Sequence, residues 1–225
     1  MPILGVGIGV ADEVEAEDSR ESKKSFLRMY STWRTITLRT MKNDSLLGFA
    51  LLGLLHKQPM SGYDLRKVFA STAMGSFSDS PGAIYPALKR LEARGMVRGT
   101  LEESTGLRQR RVFRNTARGV AAFKAWLKRP VTRDDVIRRI GELMLRFAFM
   151  DQALDPERTA RFLREYGARL AEYVPSLKEF HEAQEAKMPL SARLAFESGI
   201  EEYETRLMWV NTSLAKYEQG KRGKR

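Results

Sequence analysis

Residues 80–95, S-P-G-A-I-Y-P-A-L-K-R-L-E-A-R-G, constrain this chain more than any other segment, because they contain both a helix start and a helix stop. Ser80 can accept a hydrogen bond from the free amides of a first helical turn, and a proline follows where its missing N–H costs nothing. Ile84, Leu88 and Leu91 recur at helical spacing and lie on one side. The final glycine can close the helix in a left-handed cap. The segment therefore predicts a short helix with one apolar side.

The opposite side of this predicted helix is narrow and edged with cations. It carries Gly82, Pro86, Lys89 and Ala93, flanked by Tyr85, Arg90 and Arg94. A helix side of small and basic residues can enter a groove of DNA. Because Pro86 has no amide for the i to i−4 hydrogen bond, we expect the regular helix to begin near Ala83, with Pro86 in its first turn; a kinked helix is the alternative.

The positive charge of the chain is concentrated around this helix. The 225 residues carry a net charge of +11, and residues 41–130 hold 16 of the 39 Lys and Arg but only 6 of the 28 Asp and Glu. A basic excess confined to one compact segment indicates a polyanionic partner, whereas an even spread would indicate only solubility. Nucleic acid is the first candidate.

Composition excludes several other classes of protein. The chain has no cysteine, and its two histidines, His56 and His181, are too dispersed for a metal site, so we expect no metal and no cofactor. The longest apolar run, residues 46–55, is about half the roughly 20 residues of a membrane-spanning helix. The apolar stretch at residues 3–11 has no basic residues before it and is a poor signal peptide. We expect a cytoplasmic protein without a membrane partner.

Two further short helices are predicted before residue 80. Residues 46–57 are almost wholly apolar, which suits a helix at the centre of a small domain. The sequence S-G-Y-D at 61–64 matches a capping box, in which Ser61 caps forward and Asp64 reaches back. Three short helices with tight connections predict a helix-turn-helix.

Residues 96–101 and 108–114 are compatible with two strands of a hairpin. Alternation along the second strand places Val112 and Phe113 on opposite faces. This strand carries Arg108, Arg110, Arg111 and Arg114. Directly after a helix-turn-helix, such a hairpin is interpreted as a wing whose arginines meet phosphate or a minor groove. A solvated edge strand guarded by charge is the alternative.

The remainder of the chain predicts helices. Thr116 can cap a fourth helix that ends near residue 128, and three more follow at about 136–150, 156–187 and 189–219, with Pro175 kinking or dividing the middle one. Their apolar residues exceed what a short bundle needs, which indicates dimerisation. The fold class is therefore mainly α, an N-terminal winged helix-turn-helix with an all-α dimerisation domain. The predicted divisions are an extension over 1–42, disordered or an artefact of start assignment, a DNA-binding domain over 43–130, a dimerisation domain over 131–219 and a basic tail over 220–225.

Several of these motifs resemble the PadR-like family of winged-helix transcriptional regulators. They are L-L-G-L-L at 51–55, S-G-Y-D-L at 61–65, I-Y-P-A-L at 84–88, R-L-E-A-R-G at 90–95 and the arginine-rich wing. Residues 199–209 resemble the final helix of the family's virulence-activator-like C-terminal domain. The resemblance implies a homodimeric repressor that binds operator DNA and is released from it by a small apolar or phenolic effector. The first forty residues have no counterpart in the family, and Asn115 replaces a usual leucine, which loses an apolar contact.

These observations together predict a DNA interface. Lys89 is the best candidate for a guanine edge, and Ala83 or Ala87 for a thymine methyl group. Tyr85, Arg90 and the other cations would hold phosphates. The complete predicted set is Tyr63, Ser80, Gly82, Ala83, Tyr85, Pro86, Lys89, Arg90, Arg94, Arg108, Arg110 and Arg111.

An effector pocket is predicted where the fourth helix meets the C-terminal bundle, from Trp126, Phe147, Phe149 and Trp209. The alternative for these aromatic residues is plain core. No catalytic site is predicted, because Glu142, Glu165, Glu201 and Glu202 have neither histidine nor nucleophile beside them. Two other functions remain open: a basic protein that coats nucleic acid without sequence preference, and a MarR-like winged-helix regulator.

Overall fold

Four helices and a three-stranded sheet form the first half of the fold in the computed structural model, which describes residues 43–72, 81–102 and 110–222. In chain order they are α1 (Asn43–Lys57), β1 (Met60–Ser61), α2 (Gly62–Ser71), α3 (Pro81–Ala93), β2 (Val97–Glu102), β3 (Arg110–Asn115) and α4 (Ala117–Leu127). Helices α2 and α3 followed by a β-hairpin are the winged helix-turn-helix that the sequence predicts, so the fold class is confirmed.

Helix α1 lies at the centre of this half, as its apolar composition predicts. Ala50, Leu51 and Leu52 are fully buried. Gly53 lies where another helix approaches most closely, since a Cβ atom there would come within 2.6 Å of the Phe149 ring. The first helix therefore contacts both the winged-helix elements and the C-terminal helices.

Helix α3 has the apolar side and the cap that the sequence predicts. Ile84, Leu88 and Leu91 are all at most 5% exposed. Gly95 has a φ of +66°, and its amide donates to the Glu92 carbonyl at 2.8 Å, while the next amide donates to the Leu91 carbonyl at 2.9 Å. This is the double hydrogen bond of a Schellman cap.

The predicted start of α3 near Ala83 is wrong. The helix begins at Pro81, so Pro86 lies beyond the first turn and interrupts the amide ladder by one hydrogen bond. The helix continues through it because Ile84 and Leu88, on either side, are fully buried in the core. Ser80, the predicted cap, lies outside the described residues.

The sheet has the order β1-β3-β2, with both pairings antiparallel. The two-residue strand β1 is absent from the sequence-based prediction; its Met60 and Ser61 pair with Phe113 and Val112. Strand β3 is central at this point, and Val112 and Phe113, predicted for opposite faces, are both buried. The edge-strand alternative is therefore wrong for this part of β3.

The C-terminal half consists of helices and one short 3₁₀ turn among the described residues. They are α5 (Arg133–Arg138), α6 (Ile140–Ala153), α7 (Pro156–Gln184), the 3₁₀ turn (Glu185–Lys187) and α8 (Leu190–Arg222). Helices α7 and α8 run antiparallel, since Tyr173 contacts Tyr203 while Phe180 contacts Phe196. None of the described helices has the length and apolar character that crossing a membrane requires.

Three predictions about these helices are corrected. The single helix over 136–150 is two helices, because the backbone at Arg139 leaves the helical region while its guanidinium pairs back to Asp134 and Asp135. Pro175 does not divide α7. Helix α8 continues to residue 222, past the predicted start of the basic tail. Residues 1–42 and 223–225 lie outside the described residues.

Candidate nucleic-acid interface

The outer side of α3 presents most of the residues that were predicted to face DNA. Gly82, Pro86 and Lys89 are exposed, and Ala83 is partly buried against the core. Ala87 is only 2% exposed, so its predicted contact with a thymine methyl group is wrong. The reason is helical geometry, since residue 87 lies three positions after Ile84 and shares the buried side.

Two tyrosines extend this surface onto the start of α2. The ring of Tyr85 lies against Gly62, where a Cβ atom would come within 2.5 Å of the ring. Glycine at 62 therefore allows the two helices to approach. Tyr63, the next residue, is 64% exposed and Tyr85 is 48% exposed. Both tyrosines therefore lie on the surface beside the exposed side of α3.

The cations of α3 differ in their surroundings. Lys89 and Arg94 are exposed, and within the described ranges neither forms an ion pair with a carboxylate. Arg90 is partly buried. Lys89 and Arg94 therefore project charge outward from the middle and the end of the helix.

The described arginines of β3 are instead placed beside carboxylates. Arg111 lies 2.8 Å from Glu92, and Arg114 lies 2.9 Å from Glu102. Arg110 lies 3.8 Å from the nearest oxygen of Asp64, too far for a hydrogen bond. Arg108 and the hairpin turn lie outside the described residues.

Asn115 ties the end of the wing to α1. Its Nδ2 donates to the carbonyl of Leu52 at 2.9 Å, across 63 positions of sequence. The next residue, Thr116, caps α4 by accepting from the amide of Gly119. The apolar contact that Asn115 was expected to lose is therefore replaced by a hydrogen bond, which no local pattern in the sequence signals.

The four residues predicted for an effector pocket fall into two separate clusters. Trp126 stacks on Phe49 with centroids 4.6 Å apart, and its Nε1 donates to the buried carboxylate of Glu142 at 2.9 Å. Phe149 meets Phe123 edge to face at 5.7 Å. Trp126 and Phe149 are both 3% exposed and belong to the packed core.

Phe147 lies on the other side of α6, because two positions along a helix turn a side chain through about 200°. Its ring contacts Trp209 edge to face at 5.3 Å and stacks on Phe162. The predicted single pocket is therefore wrong. Trp209 lines a cavity of about 600 Å³ together with Met144, Ser198, Glu201, Glu202, Thr205 and Arg206.

A buried arginine joins the winged helix to the C-terminal helices. Arg146 is 2% exposed and donates to the carbonyl of Leu127, the last residue of α4, and to that of Arg129 just after it. Its guanidinium lies over the Phe162 ring, 5.0 Å from the centroid. Burial lowers the pKa of its guanidinium, an effect that nearby Asp135 and Glu142 oppose. Arg146 is absent from the sequence-based predictions, although a lone cation within the apolar run of α6 is a signal that could identify it.

A model of a known protein family matches most of the winged half of the chain. Residues 51–125 match the family model described as Transcriptional regulator PadR-like family. No curated protein matches the chain.

Three of the solved structures that match the chain are the following. Bacillus subtilis PadR in complex with operator DNA is 23% identical, covers 76% of this chain and 97% of its own, and has a TM-score of 0.37. The same protein in complex with p-coumaric acid is 23% identical over 78% and 97%, with a TM-score of 0.32. A PadR-like transcriptional regulator from Bacillus cereus is 24% identical over 77% and 99%, with a TM-score of 0.34.

Proposed function

Since residues 51–125 of this chain belong to the PadR-like family of transcriptional regulators, we propose that the protein is a homodimeric repressor that inserts α3 into the major groove of operator DNA. The observation that carries this proposal is the division of α3 into two sides. Ile84, Leu88 and Leu91 fix the helix in the core, while Lys89 and Arg94 project charge from its exposed side. A helix held in this way can contact base edges while its apolar side stays packed in the core.

Each predicted contact residue of α3 has a role in this proposal. Lys89 donates to a guanine edge, and Ala83 offers its methyl group to thymine. Gly82 and Pro86 keep the surface small enough for close approach. The cations Arg90 and Arg94, with the tyrosines Tyr63 and Tyr85, hold phosphates and fix the register. Ser80 and Arg108 remain predictions.

The wing supplies a second contact with the backbone of the DNA. Among the described arginines of β3, Arg110 is best placed for this role, since it is exposed and its nearest carboxylate oxygen is 3.8 Å away. The charge of residues 41–130 supports the same surface, because counterion release from phosphates provides most of the affinity that does not depend on sequence.

The test is a competition binding assay on the DNA upstream of the protein's own gene. We expect wild type to retain one site against excess unrelated DNA, and the double variant Lys89→Ala, Arg94→Ala to lose it. The matched control is Arg161→Ala, Lys187→Ala, which removes two exposed cations from the C-terminal half. Equal binding by all three proteins, released by modest salt, would instead support a nonspecific nucleic-acid coat.

Homodimerisation is supported by apolar surface on the C-terminal helices. Phe180, Leu190, Leu194 and Met208 are between 41% and 65% exposed. Large exposed apolar residues on one helical hairpin are typical of an association surface. Analytical ultracentrifugation should give twice the chain mass of 25.7 kDa, and a monomer at micromolar concentration would contradict the proposal.

A second part of the proposal concerns an effector, and it is supported by the cavity beside Trp209. The indole and Met144 provide apolar contacts, and the partly buried guanidinium of Arg206, 3.7 Å from its Glu202 partner, can hold a carboxylate. A small aromatic acid fits this combination of groups. Burial also raises the pKa of the Tyr166 phenol, an effect that neighbouring Arg206 opposes.

The probe for this part is p-coumaric acid, the ligand of the Bacillus subtilis structure. We expect it to quench tryptophan fluorescence and to release operator DNA. Quenching should disappear in Trp209→Phe and persist in Trp126→Phe, whose indole is buried in the other aromatic cluster. Quenching that depends on Trp126 instead would overturn the assignment.

A further inference from the structure

Glu92, in the last turn of α3, connects this helix to both strands of the wing. Its carboxylate accepts a hydrogen bond from the backbone amide of Gly99 on β2 at 2.9 Å. Both of its oxygens also accept from Nη2 of Arg111 on β3 at 2.8 Å. One carboxylate therefore holds three elements together by charge-assisted hydrogen bonds, which are stronger than neutral ones.

Gly99 makes this arrangement possible. A Cβ atom at this position would come within 2.5 Å of Nε of Arg111 and 3.1 Å of Oε1 of Glu92. The guanidinium also lies over the ring of Phe113, 5.4 Å from its centroid, and Phe113 is the residue paired with Gly99 across the sheet. Arg111 is thus held on one side by Glu92 and on another by an aromatic ring.

The other two ion pairs of the wing do not make this connection. Arg114 and Glu102 both belong to the hairpin, so their contact does not fix the hairpin relative to α3. Arg110 reaches Asp64 of α2 only at 3.8 Å. Among the described ion pairs of the wing, the one at Glu92 is the one that joins the wing to α3.

We propose that Glu92 and Arg111 form a brace that sets the position of the wing relative to α3, and that Arg111 acts as a positioning residue rather than as a phosphate contact. The inference rests on the proposed function, because α3 and the wing must meet their parts of the DNA at the same time. Contacts of this kind lose their value when the supporting residues let them shift by about 1 Å.

The charge of Glu92 gives the brace a distinctive signature. A carboxylate near DNA repels phosphates, so its removal alone strengthens binding to any sequence. Loss of the brace instead prevents α3 and the wing from contacting the operator at the same time. It therefore lowers the affinity for the operator relative to the affinity for other DNA. The quantity to measure is therefore the ratio of operator affinity to affinity for unrelated DNA, not operator affinity alone.

The experiment compares Glu92→Gln, Arg111→Gln and the double variant with wild type, over a range of salt concentrations. We expect each single variant to lower the affinity ratio by about tenfold, and the double variant to lower it no further, because both changes break one coupled pair. Arg111→Gln should leave the salt dependence of binding unchanged. The matched control is Glu102→Gln, which removes the same charge from the wing without touching α3 and should change the ratio by less than about twofold.

Two results would overturn the brace. One is an affinity ratio in Glu92→Gln equal to that of Glu102→Gln. The other is a salt slope that falls by about one in Arg111→Gln, which identifies this residue as a phosphate contact. If wild type itself shows no preference for the operator, that result contradicts the proposed function rather than the brace.

A measurement without DNA tests the brace in that case as well. Hydrogen exchange at the amide of Gly99 should be at least about tenfold faster in Glu92→Ala than in wild type, because the acceptor at 2.9 Å is gone. The Val112 amide of the same sheet serves as the internal control for folding. Unchanged exchange at Gly99 would show that no brace exists in solution.

Discussion

Helix α3 and the wing carry the same kind of charge but place it in opposite situations. On α3, Lys89 and Arg94 are exposed and have no carboxylate beside them among the described residues. On the wing, Arg111 and Arg114 each lie within 2.9 Å of a glutamate. The helix presents its cations outward, whereas two of the three described arginines of β3 are held closely by glutamates.

This difference shows that the number of basic residues in a segment does not by itself indicate how much positive charge is available to bind a partner. A guanidinium already paired with a carboxylate must lose that partner, or share it, before it can bind phosphate. We therefore expect substitutions on α3 to change recognition directly, and substitutions on the wing to act mainly through the position of the hairpin.

The largest expected effect is on the buried side of α3. Ile84→Ala should lower the free energy of unfolding by about 2–5 kcal/mol, because it empties a fully buried site. Urea denaturation measures this loss. The control on the wing is Leu101→Ala, which is 68% exposed and should change stability by less than about 0.5 kcal/mol. A similar loss in both variants would contradict the division of α3 into two sides.

The next largest effect separates the two exposed cations of α3. Lys89→Ala should cost about 1–3 kcal/mol on the operator and relax the preference at one base pair, whereas Arg94→Ala should weaken binding to all sequences alike. A library of single-base operator variants, bound by each protein, makes the comparison. An unchanged base preference in Lys89→Ala would remove the assigned guanine contact.

A smaller effect is expected from the loosely paired arginine of the wing. Arg110→Ala should weaken binding to any DNA and reduce the salt slope by about one, since its nearest carboxylate is 3.8 Å away and its charge is free to meet phosphate. Affinity measured from low to moderate salt checks this. Arg114→Ala is the matched control, and an equal change of slope in both would mean that the ion pair of Arg114 opens on DNA.

The smallest expected effect concerns the stability of the wing itself. Arg114→Ala should lower the free energy of unfolding by at most about 1 kcal/mol, because its partner Glu102 is also exposed to solvent. Thermal unfolding should show the difference shrinking as salt is added. A loss well above this value would place Arg114 among the residues that hold the hairpin, together with Arg111.

Much of the first half of the fold was predictable from local patterns. The capping box at Ser61 and Asp64, the cap at Thr116 and the left-handed Gly95 all occur as predicted. The aromatic residues were not predictable in the same way. Phe147 and Phe149 are two positions apart on α6, yet one contacts Trp209 and the other Phe123, because the helix is covered on both sides.

The sequence by itself determined the caps of α2 and α4, the end of α3 at Gly95, which side of α3 is buried and where the positive charge is concentrated. These properties depend on residues within a few positions of one another, so a cap or a helical period is visible in a single segment. Only the tertiary structure decided which arginines are paired with carboxylates and which are exposed without such a partner among the described residues. Glu92 meets Arg111 across 19 positions and Asn115 meets Leu52 across 63, and such distances close only when the chain packs around one core.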